Sequence, residues 1–196
     1  MTERDAIIIG GGPAGAVAAW RFATRGWDVV LVERREDGAD KCCGHCLHPQ
    51  AFRVLDAMGC GDAVRRASTG RTLRGRVLMQ DDLVVVNDSF GAANDGDGGV
   101  IVQRRTLDPL LRCAAAMAGA DIRCGTAARI ESLDSGGARV SLRVADGPEE
   151  TIAAKLLVGA DGVGSAVARM AGLVDGTRVG RKFGIGLDVI TDAPTP

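Results

Sequence analysis

The residues with the clearest chemical potential come first in the chain. Gly10, Gly12 and Gly15 are spaced Gly-x-Gly-x-x-Gly, and an acid, Glu33, follows 18 positions after Gly15. Such a loop cradles an anion: Gly10 permits a tight turn, and Gly12 lets backbone amides approach a pyrophosphate. Gly15 lets the following helix pack closely, with its N-terminus facing the negative charge. A carboxylate at Glu33 is placed to accept hydrogen bonds from ribose hydroxyls. A second set of reactive side chains, Cys42, Cys43, His45, Cys46 and His48, is packed into seven residues. Structural zinc usually draws four ligands from two separated pairs, and no second Cys/His pair exists elsewhere, so no metal is expected here. Cys43 is a candidate redox or nucleophilic thiol, a role that requires a lowered pKa. Cys60, Cys113 and Cys124 sit among apolar residues and read as packed thiols.

The glycine loop works only if strand, helix and strand hold it. Ile7-Ile8-Ile9 is an apolar strand, Ala16 to Phe22 is helix-like, and Asp28 to Glu33 is a second apolar strand with the acid at its end. This is the order of a dinucleotide-binding βαβ unit. Pro49 to Leu55 opens another helix with Pro in its first turn, and Gly59 and Gly61 break it. Leu73–Met79 and Leu83–Val86 read as a hairpin, and Asp88–Gly99, rich in Gly and Asp, as a mobile surface loop. Val100–Val102 is a short strand. Thr106–Ala118 has helical apolar spacing at Leu107, Leu110, Leu111, Ala114 and Met117. Thr126–Leu133, Ala138–Ala145 and Glu149–Ala153 form an antiparallel meander with Gly-rich turns. Lys155 to Asp161 then returns as a buried parallel strand, and Phe183–Ile190 is a further strand. Trp20 and Trp27 read as packing residues.

Composition narrows the classes. Hydrophobic residues make up 46% of 196, enough for a core, and the net charge of −1 gives no case for nucleic acid. No stretch approaches the roughly 20 apolar residues of a membrane span, which leaves peripheral membrane contact open. No signal peptide precedes the first strand, so cytoplasmic residence and free thiols are expected.

Three later segments carry a family resemblance. Leu157 to Ser165 contains Gly159-Ala160-Asp161-Gly162-Val163-Gly164-Ser165, similar to the Gly-Ala-Asp-Gly-x-x-Ser signature of flavin-dependent hydroxylases. Arg104-Arg105-Thr106-Leu107-Asp108 matches the Arg-x-x-Leu-Asp segment that opens a long helix in those proteins. Lys41 to Ala51 resembles the Lys-x-Cys-Gly-x-x-Leu-x-Pro-x-Ala stretch of the geranylgeranyl reductase-like branch. Over residues 5 to 190 the chain therefore resembles the N-terminal part of FAD-dependent oxidoreductases of the group A hydroxylase/geranylgeranyl reductase-like superfamily.

The resemblance implies an α/β Rossmann-type FAD-binding domain: a parallel sheet, an antiparallel β-meander insertion, and the beginning of a substrate domain. Boundaries of 1–175 and 176–196 follow. It implies that Gly10, Gly12, Pro13, Ala14 and Gly15 hold the FAD pyrophosphate, Glu33 the ribose and Arg34 the adenine side. Arg104 reaches the flavin or its phosphates, Asp161 and Gly162 lie near pyrophosphate and ribityl chain, and the strand at Ala128 borders adenine. Cys43 and Gly44 lie beside the isoalloxazine. Reduced nicotinamide, NAD(P)H, is the implied electron donor. The implied substrate is a small aromatic, polyketide or isoprenoid molecule, either hydroxylated or reduced at a prenyl-type double bond.

Two departures stand out. The family places Arg three positions after the signature Ser, where this chain has Ala168, so Arg169 is given no cofactor role. The third FAD motif, a Gly-Asp-Ala-type turn, is missing, so the chain is expected to be a fragment or a reduced nucleotide-binding remnant. A plain NAD-dependent dehydrogenase is the other rival, disfavoured by the later segments.

Overall fold

The computed structural model describes residues 2–36, 45–68, 72–73, 75–80, 83–89, 98–145 and 147–174. Its framework is a six-stranded sheet of order β8-β2-β1-β11-β10-β9. Strand β1 (Thr2–Ile9), β2 (Val29–Val32) and β8 (Asp121–Arg123) run parallel, with Ile7 opposite Val30 and Leu31 opposite Ile122. Ala6, Ile7 and Ile8, and all four residues of β2, are buried. A continuous apolar run of this kind marks a parallel strand covered on both faces. Each such aliphatic side chain contributes about 1.5–3 kcal/mol by leaving water.

The meander is present, with one difference from the sequence expectation. Strands β9 (Thr126–Asp134), β10 (Gly137–Val144) and β11 (Glu149–Gly159) are antiparallel neighbours. However, the expected third meander strand and the expected returning parallel strand are one: β11 pairs with β10 from Glu149 to Ala154 and with β1 from Ile152 to Gly159. Its one edge completes the meander and its other edge completes the parallel sheet. No turn residue interrupts Thr151 to Val158, so nothing ends the strand between the two roles.

Helices cover one face. α1 (Pro13–Ala23) and α4 (Arg104–Met117) lie together on the sheet, and Ala19 and Ala115 pack on Ala6, Ile8, Val29 and Leu31. The helices α2 (Ala51–Ala57) and α3 (Gly61–Arg66) add Phe52, Leu55, Met58 and Val64 to a core shared with Leu107 and Leu111. Pro49 lies in the turn before α2, two residues earlier than its first helical residue. On the opposite face Ile7, Val30 and Val32 pack with Ile130, Val140, Leu142 and Ile152. Trp20 packs into the helical core, while Trp27 is 40% exposed and stacks on Phe22.

The expected apolar face of α4 is rotated. Leu107, Leu111 and Ala114 are buried, but Met117 is 85% exposed, and Asp108, Arg112 and Ala115 are buried instead. The inward stripe is thus partly charged, for reasons that belong to the site. Smaller strands β3 (Cys46–Leu47), β4 (Thr72–Leu73) and β7 (Gly99–Ile101) pair around β7, and β5 (Gly75–Gln80) pairs with β6 (Leu83–Ser89). The single strand expected over 73–79 therefore divides between two sheets, changing partners by Gly75. The centre of the Asp88–Gly99 loop, the strand Phe183–Ile190 and the segment 176–196 lie outside the described residues. Among the described residues no helix is long and apolar enough to cross a membrane.

Candidate functional site: a dinucleotide cleft at the strand ends

Strands β1, β2 and β11 all end at the same edge of the sheet, and the glycine turn leaves β1 there. Gly10 has φ +110°, and a Cβ on it would lie 2.3 Å from the Ala160 carbonyl oxygen. The Gly10 amide donates to Val32 O at 2.8 Å, and the Ala160 amide donates to Ile9 O at 2.8 Å. The turn is thereby fixed to the ends of both neighbouring strands. A Cβ at Gly15 would lie 1.8 Å from Gly10 O, so only glycine lets α1 start this close to the strand. No side chain caps the α1 N-terminus at Gly12, and no acid occupies its first turn. The orphan amides of that turn are left for an anion, which the helix dipole favours.

Glu33 closes the other side. Its Oε2 accepts from the Gly11 amide at 2.7 Å and its Oε1 from the Arg35 amide at 3.1 Å. A carboxylate offers about four acceptor positions, so capacity remains for hydroxyl groups. The cleft beside it has a volume of about 410 Å³, within the usual range for a small-molecule site. Gly10, Glu33, Arg34 and Arg35 form one wall, Thr126, Ala127 and Ala128 a second, and Ala160, Asp161, Val163, Gly164, Ala166 and Arg169 a third.

Asp161 has a defined structural task. Its Oδ1 accepts from the Ser165 hydroxyl, and its Oδ2 accepts from the Ala166 amide at 2.7 Å. These bonds cap the short helix α5 (Ala166–Met170). Burial pushes the Asp161 carboxyl upward, but the bonds from Ser165 and the Ala166 amide outweigh it, and it lies below the ordinary aspartate range. Gly162, at φ +82°, turns the chain between Asp161 and Val163.

The structure brings Gly10, Glu33, Arg34, Ala128 and Asp161 together around one cleft, with Gly12, Pro13, Ala14 and Gly15 at the adjoining helix start. Arg104 pairs with Asp108. Its Nε and Nη2 donate to the two carboxylate oxygens of Asp108 at 2.7 and 2.9 Å, and it is not on the cleft wall. Arg169, given no cofactor role from the sequence, is on the wall and donates to Gly164 O. Arg35 and Thr126 also join the wall unannounced. Cys43 and Gly44 lie outside the described residues, as do Cys42 and the rest of that loop up to Gly44. Among the described residues no group of three His, Cys, Asp or Glu side chains could hold a metal. Cys60 is buried and its thiol is pushed up by burial, whereas Cys113, expected to be packed, is exposed because it lies on the outer side of α4.

Comparison with known proteins agrees with this geometry. The chain is 31% identical over 175 residues to a digeranylgeranylglycerophospholipid reductase of Methanopyrus kandleri, covering 88% of this chain and 43% of that protein. It is 34% identical over 166 residues to a geranylgeranyl diphosphate reductase of Rhodobacter capsulatus, covering 83% and 38%. The chain thus spans less than half the length of these relatives. Among solved structures, the anhydrotetracycline hydroxylase OxyS of Streptomyces rimosus superposes with a TM-score of 0.73 at 26% identity, covering 87% of this chain and 34% of that one. The family model described as FAD binding domain matches residues 3–195. With Gly10, Glu33 and Asp161 on one cleft, the chain belongs to the FAD-binding domain family of flavin-dependent monooxygenases and reductases.

Proposed function

We propose that this chain is the cofactor-binding part of an FAD-dependent oxidoreductase that takes electrons from reduced nicotinamide. The observation that supports it most is the shared cleft: Gly10 at the head of the glycine turn, Glu33 and the Ala128 strand border one groove, and the Glu33 carboxylate bonds the Gly11 amide of that turn. Its residues fit the cofactor, because the α1 N-terminus lacks any capping side chain and a Cβ could not be tolerated at Gly10 or Gly15. When bound, FAD supplies two-electron redox chemistry; the protein supplies position and electrostatics.

In this reading the α1 amides hold the diphosphate and Glu33 holds the adenosine ribose. Arg34 and the Ala127–Ala128 backbone border adenine, and Asp161 with Gly162 stands near the diphosphate and ribityl chain. Cys43 and Gly44 are assigned to the ring side. Reduction of an isoprenoid double bond is the favoured chemistry, supported by the two reductases and by the Lys41–Ala51 segment. Hydroxylation of a polyketide is the second reading, supported by the likeness to the anhydrotetracycline hydroxylase. A cytoplasmic setting is supported by the free thiols Cys60, Cys113 and Cys124.

The test is an FAD titration of the wild type and Glu33→Gln, followed by NAD(P)H oxidation with the reading frame extended downstream. Loss of a charge-assisted hydrogen bond of 1.5–3 kcal/mol should weaken FAD binding about ten- to hundredfold. Equal affinity of the two proteins removes Glu33 from the site. No binding by the wild type overturns the whole reading.

A further inference from the structure

Arg112 enters the site from behind. It stands on α4, is 6% exposed, and its Nη1 donates to the Gly11 carbonyl oxygen at 3.1 Å. A Cβ on Gly11 would sit 3.0 Å from Arg112 Cδ and 2.7 Å from Glu33 Cβ, so the two side chains clasp the same residue. The Gly11 peptide group is held on both sides: its amide by Glu33 and its carbonyl by Arg112.

The charge on Arg112 is not balanced by a carboxylate among the described residues. Neither Asp108 nor Glu33 forms an ion pair with it. Asp108, one helical turn earlier, gives both oxygens to Arg104, and Glu33 gives its oxygens to the Gly11 and Arg35 amides. A guanidinium is charged at all accessible pH values, and a buried unpaired charge is costly. The arrangement makes sense if an anion arrives at the turn. An incoming diphosphate would also meet the negative Glu33 across Gly11, and a cation behind the turn offsets that repulsion.

We propose that Arg112 is a positioning residue for the cofactor diphosphate. It fixes the Gly11 peptide and supplies the buried positive charge that the diphosphate neutralises. This rests on the dinucleotide reading of the cleft.

The test uses calorimetric titration of the full chain with ADP and with adenosine, which share every group except the diphosphate. Arg112→Gln retains a donor for Gly11 O without the charge, and Arg112→Met removes both. Loss of a charge-assisted contact predicts that both variants bind ADP at least about tenfold more weakly. Their adenosine affinity is expected to match the wild type. Equal weakening of ADP and adenosine would show that Arg112 merely supports the fold, and unchanged ADP binding would also overturn the proposal. If Arg112→Met gives no cooperative melting transition, Arg112→Gln alone decides by the ADP-to-adenosine ratio. A wild type that binds neither nucleotide defeats the dinucleotide reading and this inference with it. A wild type that binds both, alongside variants that keep its ratio, defeats only the inference.

Discussion

Ser165 both donates to Asp161 and accepts from the Ala168 amide, at 2.9 Å in the second case, so one hydroxyl ties the end of β11 to the first turn of α5. The Asp161 carboxylate adds the Ala166 amide at 2.7 Å and the Val167 amide at 3.4 Å. The result is a doubly capped five-residue helix, which its own backbone bonds could not sustain.

Asp161→Ala is therefore expected to destabilise the chain by about 0.5–2 kcal/mol, the usual loss for a helix cap. The sign of the pH dependence follows from the lowered carboxyl. Stability from the ionised Asp161 is present above the ordinary aspartate value of about 3.9 and is lost as pH falls through the lower folded value. Urea unfolding of the two proteins should differ at pH 7 and converge as the pH falls through the lowered Asp161 value. A difference that grows on acidification would refute the cap as the source.

Gly15 and Gly26 offer a matched pair of substitutions. Gly15→Ala puts a methyl against a backbone carbonyl, whereas Gly26, at φ +79°, has nothing within 4 Å of its Cβ position. Gly26→Ala should cost about 1 kcal/mol of stability through backbone strain alone and leave FAD affinity unchanged. Gly15→Ala should lower FAD affinity by more than about tenfold as the helix is pushed from the turn. Flavin fluorescence titration with thermal melts separates the two effects. Similar FAD losses in both variants would contradict the assigned packing role of Gly15.

Arg104 and Asp108 form a pair of which Asp108 is 2% exposed. Removing Arg104 strands the buried Asp108 carboxylate, and about 3–5 kcal/mol of destabilisation is expected when a buried pair loses one member. Arg104→Met should thus unfold the chain at much lower urea than Arg104→Met/Asp108→Leu, in which both charges are gone. If the single and double variants melt together, the pair carries no such coupling.

The βαβ start was legible because its signals are local: an apolar run, glycines at fixed spacing and an acid at the next strand end. The hairpin turns of the meander were legible for the same reason, through Ser135-Gly136-Gly137. Strand β8 was not, because Asp121-Ile122-Arg123 has one apolar residue and becomes a strand only by pairing with Val30–Val32. The unity of β11 was equally hidden, since it depends on which neighbours lie on each edge. Arg112 was not singled out in the sequence, although Arg104, Asp108 and Arg112 recur every four residues and so share one stripe. That spacing was the available signal for a charged inner face. The pairing of Arg104 with Asp108 was not legible either, because a motif match does not show which neighbour a guanidinium meets.

The bond from the Ala160 amide to Ile9 O orders events during synthesis. Strand β1 is made first, yet its second edge is empty until β11 emerges some 150 residues later, with Thr2 opposite Ile152. The adjacent hairpin of β9 and β10 closes over a short loop and can form early, while pairing across such a separation is slow. Throughout that interval the nascent chain exposes Ile7 and Ile8 along an unpaired edge, and the glycine turn lacks its Ala160 wall. A nascent chain that has not yet reached Ala160 therefore has no finished pocket, and cofactor loading waits for the returning strand.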